Sequence, residues 1–260
     1  MAFLQMNYHS DALETDVAVN VILPEKAKYA SDQAEGGICP YRTLYLLHGV
    51  AGNHAVWMRQ SAIERYAASY NIAVVMPGVG RSWYTDTAHG ANYLTFVSEE
   101  LPRVCRAYFR SMSDKREDTF VAGLSMGGYG AIKVALTHPE TFGGVGSLSG
   151  ALDISDDTRN RPMDEWRGIA GFDLRSVAEL KGTKHDIFAL AKHLVEEGKP
   201  FPKLYMWCGE QDTLIEHNDR FHALLNDLSV EHVYETSEGD HSWRWWDLHI
   251  QDAMRYLLAK

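Results

Sequence analysis

Short apolar runs alternate with helical stretches along this chain, and that alternation constrains the fold more than any other feature. The apolar runs are residues 43–47, 72–76, 119–122, 144–148 and 204–208. Such runs are typical of parallel strands that are buried on both faces by helices. Stretches with helical spacing lie at residues 63–70, 127–137, 186–197, 216–228 and 243–258. The pattern predicts an α/β fold with a central, mostly parallel sheet and helices on both faces.

Four further segments complete the predicted organisation. Residues 3–24 are strand-like, and residues 232–236 form another strand. Residues 92–110 have helical spacing, but Pro102 should bend or restart that helix because proline lacks an N–H donor. Residues 151–202 are the least regular, and we interpret them as an insertion that shapes a pocket within a single domain spanning residues 1–260.

Composition argues against several classes of protein. The net charge is −10 without a basic run, which disfavours nucleic-acid binding because phosphates require clustered Lys and Arg. The three cysteines, Cys39, Cys105 and Cys208, form no CxxC pair, which disfavours a zinc site or a disulfide framework and fits a reducing compartment. Without HExxH or GxGxxG in a suitable place, the sequence predicts no metal and no cofactor.

The sequence also shows no recognisable targeting or membrane-spanning segment. The first seven residues contain no basic segment followed by a long apolar one, so we predict no signal peptide. No run of about 18 apolar residues occurs, so we predict no membrane contact. Together with the free thiols, these features favour a cytoplasmic location. A homo-oligomer is possible, but no feature specifies one.

Residues 123–128, Gly-Leu-Ser-Met-Gly-Gly, follow a predicted strand and open a predicted helix. This is the context of a GxSxG nucleophile elbow, a tight turn that presents a serine above the sheet. Glycines suit the flanking positions because the turn leaves no room for side chains. Ser125 is therefore the candidate nucleophile.

A serine nucleophile needs a base and an orienting acid, which in this fold follow it in the order acid and then histidine. His241 lies just before the last predicted helix and is the candidate base, whereas the other downstream histidines fall within predicted elements. Asp212, on the loop after the strand at 204–208, is the candidate acid. Glu210, Asp219 and Asp240 compete with it, although Asp240 is adjacent to His241 and badly placed to bond its ring.

An acyl-transfer site also needs hydrogen-bond donors for the oxyanion. The amide of Met126, which follows the nucleophile, should supply one donor. The amide of Val50, in the loop that follows the strand at 43–47, should supply the second. The alternative for that His48-Gly49 loop is a tight turn, and both interpretations can hold together.

Five aromatic residues lie on or beside predicted loops at the carboxyl ends of strands, where α/β proteins bind substrates. They are Trp57, Trp83, Tyr84, Trp166 and Trp243. We predict that some of them line an apolar cleft, the alternative being that they pack in the core or at an oligomer interface. Trp245 and Trp246 are predicted to be packing residues of the last helix.

Six motifs occur in an order that resembles one family. They are residues 46–49 (Leu-Leu-His-Gly), 82–86 (Ser-Trp-Tyr-Thr-Asp), 99–102 (Glu-Glu-Leu-Pro), 123–131 (Gly-Leu-Ser-Met-Gly-Gly-Tyr-Gly-Ala), 208–209 (Cys-Gly) and 241–243 (His-Ser-Trp). The chain resembles the esterase D / tributyrin esterase family of α/β-hydrolases from about residue 44 to residue 258, and least over residues 151–202. That family includes S-formylglutathione hydrolases.

The resemblance implies a serine carboxylesterase that acts on short acyl esters of small molecules without a cofactor. It implies Ser125, Asp212 and His241 as the triad, with Val50 and Met126 as the oxyanion donors. Val50-Ala51-Gly52 stands where S-formylglutathione hydrolases carry Leu-Thr-Cys, which favours a general short-chain esterase. The alternatives are an S-formylglutathione hydrolase, a feruloyl or acetyl-xylan esterase, an acyltransferase, and an inactive binding protein with this fold.

Overall fold

A computed structural model describes residues 1–24, 40–156, 163–171 and 173–259. The described residues form one eight-stranded sheet. Its strands are β1 (Ala2–Ser10), β2 (Thr15–Leu23), β3 (Thr43–Leu47), β4 (Ala73–Pro77), β5 (Thr119–Leu124), β6 (Gly144–Leu148), β7 (Lys203–Gly209) and β8 (His232–Ser237). The strand order is β1-β2-β4-β3-β5-β6-β7-β8, so β5 and its following turn lie near the middle of the sheet.

The pairing of the strands confirms the predicted, mostly parallel sheet. β1 and β2 form an antiparallel hairpin, and β2 pairs antiparallel with β4. All other pairs, from β4 through β3, β5, β6 and β7 to β8, are parallel. The strand-like segment 3–24 is thus two strands, divided by a turn at residues 11–14 in which Glu14 has a φ of 52°.

Helices cover both faces of the sheet, as predicted. They are α1 (Val56–Gln60), α2 (Ile63–Tyr70), α3 (Tyr93–Thr95), α4 (Leu101–Tyr108), α5 (Met126–Thr137), α6 (Met163–Ala170), α7 (Ile187–Glu196), α8 (Ile215–Asp227) and α9 (Trp243–Leu258). Alternate residues of β3 enter different cores: Tyr45 and Leu47 join the core under α4, α5, α7 and α8, whereas Leu46 joins the core under α1, α2 and α9. This alternation explains why the central strands are apolar at every position.

The predicted irregularity near Pro102 is a change of helix type. α3 continues into a π-helical turn at Phe96–Glu100, and α4 begins directly after it with Pro102 in its first turn. Because proline cannot donate to the carbonyl one turn earlier, the wider π turn lets the helix continue past it.

The irregular segment 151–202 contains α6, a 3₁₀ turn at Val177–Leu180 and α7, which matches the helix predicted at 186–197. Cys105 and Cys208 are buried free thiols, while Cys39 lies outside the described residues. Within the described ranges, no helix is both long enough and apolar enough to cross a membrane.

Candidate active site

Ser125 occupies a strained turn between β5 and α5. Its φ of 55° and ψ of −119° are unusual for a residue with a side chain, and such strain is typical of a nucleophile elbow. Backbone hydrogen bonds hold the turn: the Ser125 N–H donates to the Leu148 carbonyl (3.0 Å), and its carbonyl accepts from the amides of Gly128 (3.0 Å) and Ala151 (3.1 Å). The neighbouring strand β6 therefore fixes the position of Ser125.

Glycines let the elbow pack directly against the end of β3. A Cβ on Gly127 would lie 2.6 Å from the Leu47 carbonyl oxygen and 2.7 Å from that of His48. A Cβ on Gly123 would lie 2.3 Å from the Gly127 carbonyl oxygen. Real Cβ atoms do not approach backbone this closely, so these positions require glycine for contact rather than for an unusual φ.

His241 lies between the other two predicted triad residues. Its Nε2 is 3.0 Å from Ser125 Oγ, and its Nδ1 is 2.8 Å from Asp212 Oδ2. Because a carboxylate only accepts hydrogen bonds, Nδ1 carries the proton and Nε2 is left to accept the Ser125 hydroxyl. The His241 side chain is 33% exposed, so the ring edge facing Ser125 can be reached from outside.

Asp212 is buried and fully engaged, with Oδ1 accepting the Leu214 amide at 2.8 Å. Burial by itself raises its pKa, but the hydrogen bond and charge of His241, the Ser149 hydroxyl and the Leu214 amide together hold the pKa of this carboxyl below its usual value. The acid is thereby kept in the charged form that stabilises an imidazolium.

Two of the three competing carboxylates are engaged elsewhere. Asp240 accepts from the hydroxyl of Ser242, and Asp219 accepts from the hydroxyl of Tyr234. Of the four candidates, Asp212 is the one hydrogen-bonded to His241.

Val50, in the loop after β3, lines the same cleft as Ser125. The Gly49 carbonyl accepts from His48 Nδ1 (2.7 Å) and from the Gly52 amide (2.9 Å), while His48 Nε2 accepts from Val79 (3.1 Å). Because a trans peptide carries its C=O and N–H on opposite sides, the Val50 N–H points away from His48. Met126 is the first residue of α5, where amides have no partner within the helix.

A small cleft of about 160 Å³ opens over Ser125. It is lined by Gly49, Val50, Ala51, Gly52, Val56, Leu124, Ser125, His241, Trp243 and Trp246. The two tryptophans pack edge to face with ring centres 5.4 Å apart, and Trp57 packs against Trp243 from the buried side at 5.0 Å. The cleft is therefore apolar, with a tryptophan wall that is supported from behind.

The five predicted aromatic residues have different surroundings. Trp243 lines the cleft, and Trp57 is buried with its Nε1 donating to the Leu47 carbonyl at 3.0 Å. Tyr84 is buried with its hydroxyl on the His48 carbonyl (2.8 Å), and Trp83 and Trp166 pack together at 5.3 Å. For these four buried side chains the structure assigns packing, and contact with substrate stays a prediction.

The sequence predicts only a packing role for Trp246, yet this residue lines the cleft beside His241. Its spacing of three residues from Trp243 places both rings on one face of α9, which is the signal in the sequence that points to it. Within the described part of the chain, no group of three His, Cys, Asp or Glu residues is arranged to hold a metal ion.

Comparison with known proteins agrees with this geometry. The model of the esterase family matches residues 10–257. An acetyl esterase of Caldicellulosiruptor saccharolyticus is 36% identical over 99% of this chain and 98% of that protein.

Two solved structures from Staphylococcus aureus are similar along their whole length. One is substrate-bound FphF, a fluorophosphonate-binding serine hydrolase, with a TM-score of 0.90 and 35% identity over 100% of this chain and 99% of that one. The other is the S-formylglutathione hydrolase FrmB, with a TM-score of 0.87 and 35% identity over 99% of both chains. The family predicted from the motifs is confirmed: this chain belongs to the esterase family, has the α/β-hydrolase fold and is a carboxylic ester hydrolase of the serine type.

Proposed function

We propose that this esterase hydrolyses short-chain acyl esters through a covalent acyl-enzyme on Ser125, with His241 as base and acid and Asp212 as the orienting carboxylate. The observation that carries the proposal is the unbroken line of hydrogen bonds from Asp212 through His241 to Ser125, which ends at a small apolar cleft. A serine hydroxyl becomes a competent nucleophile when a base so placed can remove its proton.

In the first half of the reaction, His241 Nε2 takes the proton of Ser125 Oγ as that oxygen attacks the ester carbonyl. The carbonyl oxygen gains negative charge, which the amides of Val50 and Met126 stabilise by hydrogen bonding. The C–O bond to the alcohol then breaks, and His241 gives its proton to the departing oxygen. Asp212 stabilises the imidazolium in between and keeps the ring in the required tautomer.

In the second half, water replaces the alcohol. His241 removes a proton from the water as it attacks the acyl carbonyl of the Ser125 ester. The same two amides hold the oxyanion, and the proton returns through His241 to Ser125 as the carboxylic acid leaves. No group besides these residues and water is needed to balance the reaction.

The size of the cleft supports a short acyl group. A volume of about 160 Å³ closed by Trp243 and Trp246 has room for a few carbon atoms. The relative from C. saccharolyticus, described as an acetyl esterase, supports the same choice. We therefore place acetyl and propionyl esters of small alcohols first among the substrates.

The test is hydrolysis of p-nitrophenyl esters from acetyl to octanoyl by the wild type and by Ser125→Ala. We expect the highest kcat/KM for the shortest chains and a loss of about four to six orders of magnitude in the variant. Ser69→Ala, at an exposed serine, is the matched control and should keep full activity. Equal turnover by wild type and Ser125→Ala would refute the mechanism.

S-formylglutathione hydrolysis is the second candidate, favoured by the 35% identity to FrmB. Val50-Ala51-Gly52 departs from the sequence expected of that activity, so we rank it below simple esters. S-formylglutathione and methyl ferulate belong in the same panel, and a kcat/KM above that for p-nitrophenyl acetate would reverse the order. A small-molecule ester as partner and a cytoplasmic location are parts of this proposal.

A further inference from the structure

The loop that follows β6 lies directly beneath the triad. Its first residue, Ser149, is fully buried and has a φ of 47°. Its amide donates to the Trp207 carbonyl at 2.7 Å, which fixes the backbone there. The side chain is thereby held between α9, which carries Trp246, and the loop that carries Asp212.

The hydrogen bond that the Ser149 hydroxyl accepts determines where its own proton can point. Trp246 Nε1 donates to Ser149 Oγ at 3.1 Å. An indole N–H can only donate, so the single proton of the hydroxyl must be directed at another acceptor. A hydrogen bond from the Ser149 hydroxyl is one of the causes that keep the pKa of Asp212 low, which points to this carboxylate as the acceptor.

Cys208 is the other neighbour of this hydroxyl. Burial raises the pKa of its thiol well above the usual value, so the sulfur stays protonated and is a weak acceptor. An ionised carboxylate forms the stronger bond, which favours Asp212 as the partner of the Ser149 proton.

Trp246 also contacts the base itself. Its ring meets that of His241 edge to face, with centres 4.9 Å apart and planes at 86°. One side chain therefore touches the imidazole through its ring and reaches the acid through the hydroxyl of Ser149.

We infer that Ser149 and Trp246 are positioning residues of the triad: the indole N–H orients the Ser149 hydroxyl, the hydroxyl holds the Asp212 carboxylate, and the indole ring holds the His241 imidazole. This inference rests on the proposed function, because it assigns a role relative to the same triad. Ser149 does not line the cleft and acts through Asp212, whereas Trp246 lines the cleft and also acts on the triad through Ser149 and the His241 ring.

The positive φ of Ser149 provides a way to separate this role from a merely structural one. A residue with a side chain is strained at φ 47°, whereas glycine is not. Ser149→Gly should therefore be more stable than Ser149→Ala, while both lack the hydroxyl. If only the backbone matters, glycine restores activity; if the hydroxyl matters, it does not.

The experiment measures kcat, KM and thermal stability on p-nitrophenyl acetate for Ser149→Ala, Ser149→Gly and Trp246→Phe. We expect kcat to fall by about tenfold to a hundredfold in both Ser149 variants, with KM within about twofold of the wild type. Trp246→Phe keeps a ring but loses the N–H, and its kcat should fall by about three- to tenfold. Trp245→Phe, on the same helix but outside the cleft, should change neither constant.

A proton NMR spectrum supplies the second readout, through the far-downfield signal expected of the His241 Nδ1 proton bonded to Asp212. That signal should shift or disappear in Ser149→Gly and stay in place in Trp245→Phe. A Ser149→Gly enzyme with wild-type kcat and an unmoved signal would overturn the inference. If instead Ser125→Ala remains active, the proposed function itself fails, so the two failures can be told apart.

Discussion

Asp212 and Lys133 are both ionisable and almost fully buried, with exposures of 2% and 1%, but their surroundings differ in kind. Asp212 accepts hydrogen bonds from the His241 ring and the Leu214 amide, and the pKa of its carboxyl lies below the usual value. Lys133, two turns along α5 from the elbow, has a pKa lowered from 10.5 to about 7.

The hydrogen-bond partners of the two side chains explain why only Asp212 is stabilised in its charged form. The Lys133 ammonium is hydrogen-bonded to Thr85 Oγ1 and, at 3.3 Å, to His185 Nδ1. Both are neutral, because burial, followed by the charges of Lys133 and Lys184, lowers the pKa of His185 to about 3. Burial lowers the pKa of Lys133, and the nearby charge of Asp86 only partly offsets it. Burial penalises charge at both sites, and well-aimed hydrogen-bond donors offset the penalty only at Asp212.

The largest effect that would test this contrast is on catalysis. Asp212→Asn keeps the size of the side chain but removes the charge and allows the wrong tautomer of His241. We expect kcat on p-nitrophenyl acetate to fall by about 10⁴-fold, with little change in the unfolding midpoint. Asp240→Asn, at the neighbouring carboxylate, should keep wild-type turnover; a comparable loss there would mean that the acid has been misassigned.

The second effect is on stability and its pH dependence. Because the pKa of Lys133 is depressed in the folded state, the unfolded chain binds more protons between about pH 7 and pH 10.5. Folding stability contributed by this group therefore rises with pH across that window, by at most about 1.4 kcal/mol per pH unit. Lys133→Met should lack the rise while keeping its esterase activity.

Urea unfolding of wild type and Lys133→Met at about pH 7, 8 and 9 measures this difference. Lys181→Met, at an exposed lysine, is the control and should follow the wild type at each pH. Parallel curves for Lys133→Met and wild type would mean that the buried ammonium stays protonated throughout.

The smallest effect concerns Thr85, whose hydroxyl accepts a hydrogen bond from the Lys133 ammonium. Thr85→Val keeps the shape of the side chain and leaves the ammonium with one fewer acceptor. At pH 7 we expect a loss of about 1 to 3 kcal/mol in the free energy of unfolding. In a Lys133→Met background, Thr85→Val should lower the free energy of unfolding much less. An equal loss in both backgrounds would show that the two residues are not energetically coupled.

Local pattern predicted the parts of the molecule that local physics determines. The run at 144–148 and the helix at 243–258 have the bounds of β6 and α9, because composition and periodicity decide burial there. The elbow at Ser125 was predictable because the glycines beside it are required where the turn packs closely against the backbone at the end of β3. The order of acid and histidine followed from the fold once that turn was identified.

Other features depend on contacts between distant segments, which one sequence does not record. A lysine among the small residues of α5 gives no sign that the segments carrying Thr85 and His185 enclose it. The periodicity of α9 showed that Trp246 faces inward, but not that a cleft opens beside it. The substrate role of Trp83 and Trp166 stays a prediction for the same reason.

The contact between Gly127 and the carbonyl oxygens at the end of β3 has a consequence for how such an enzyme can diversify. Direct contact between two backbone segments sets the distance from the nucleophile to the oxyanion loop. No side chain lies between them, so mutation cannot adjust this distance in small steps. Trp243 and Val56, by contrast, line the cleft with side chains that can be exchanged one at a time. Substrate range can therefore evolve at the walls of the cleft while the reacting atoms keep their spacing.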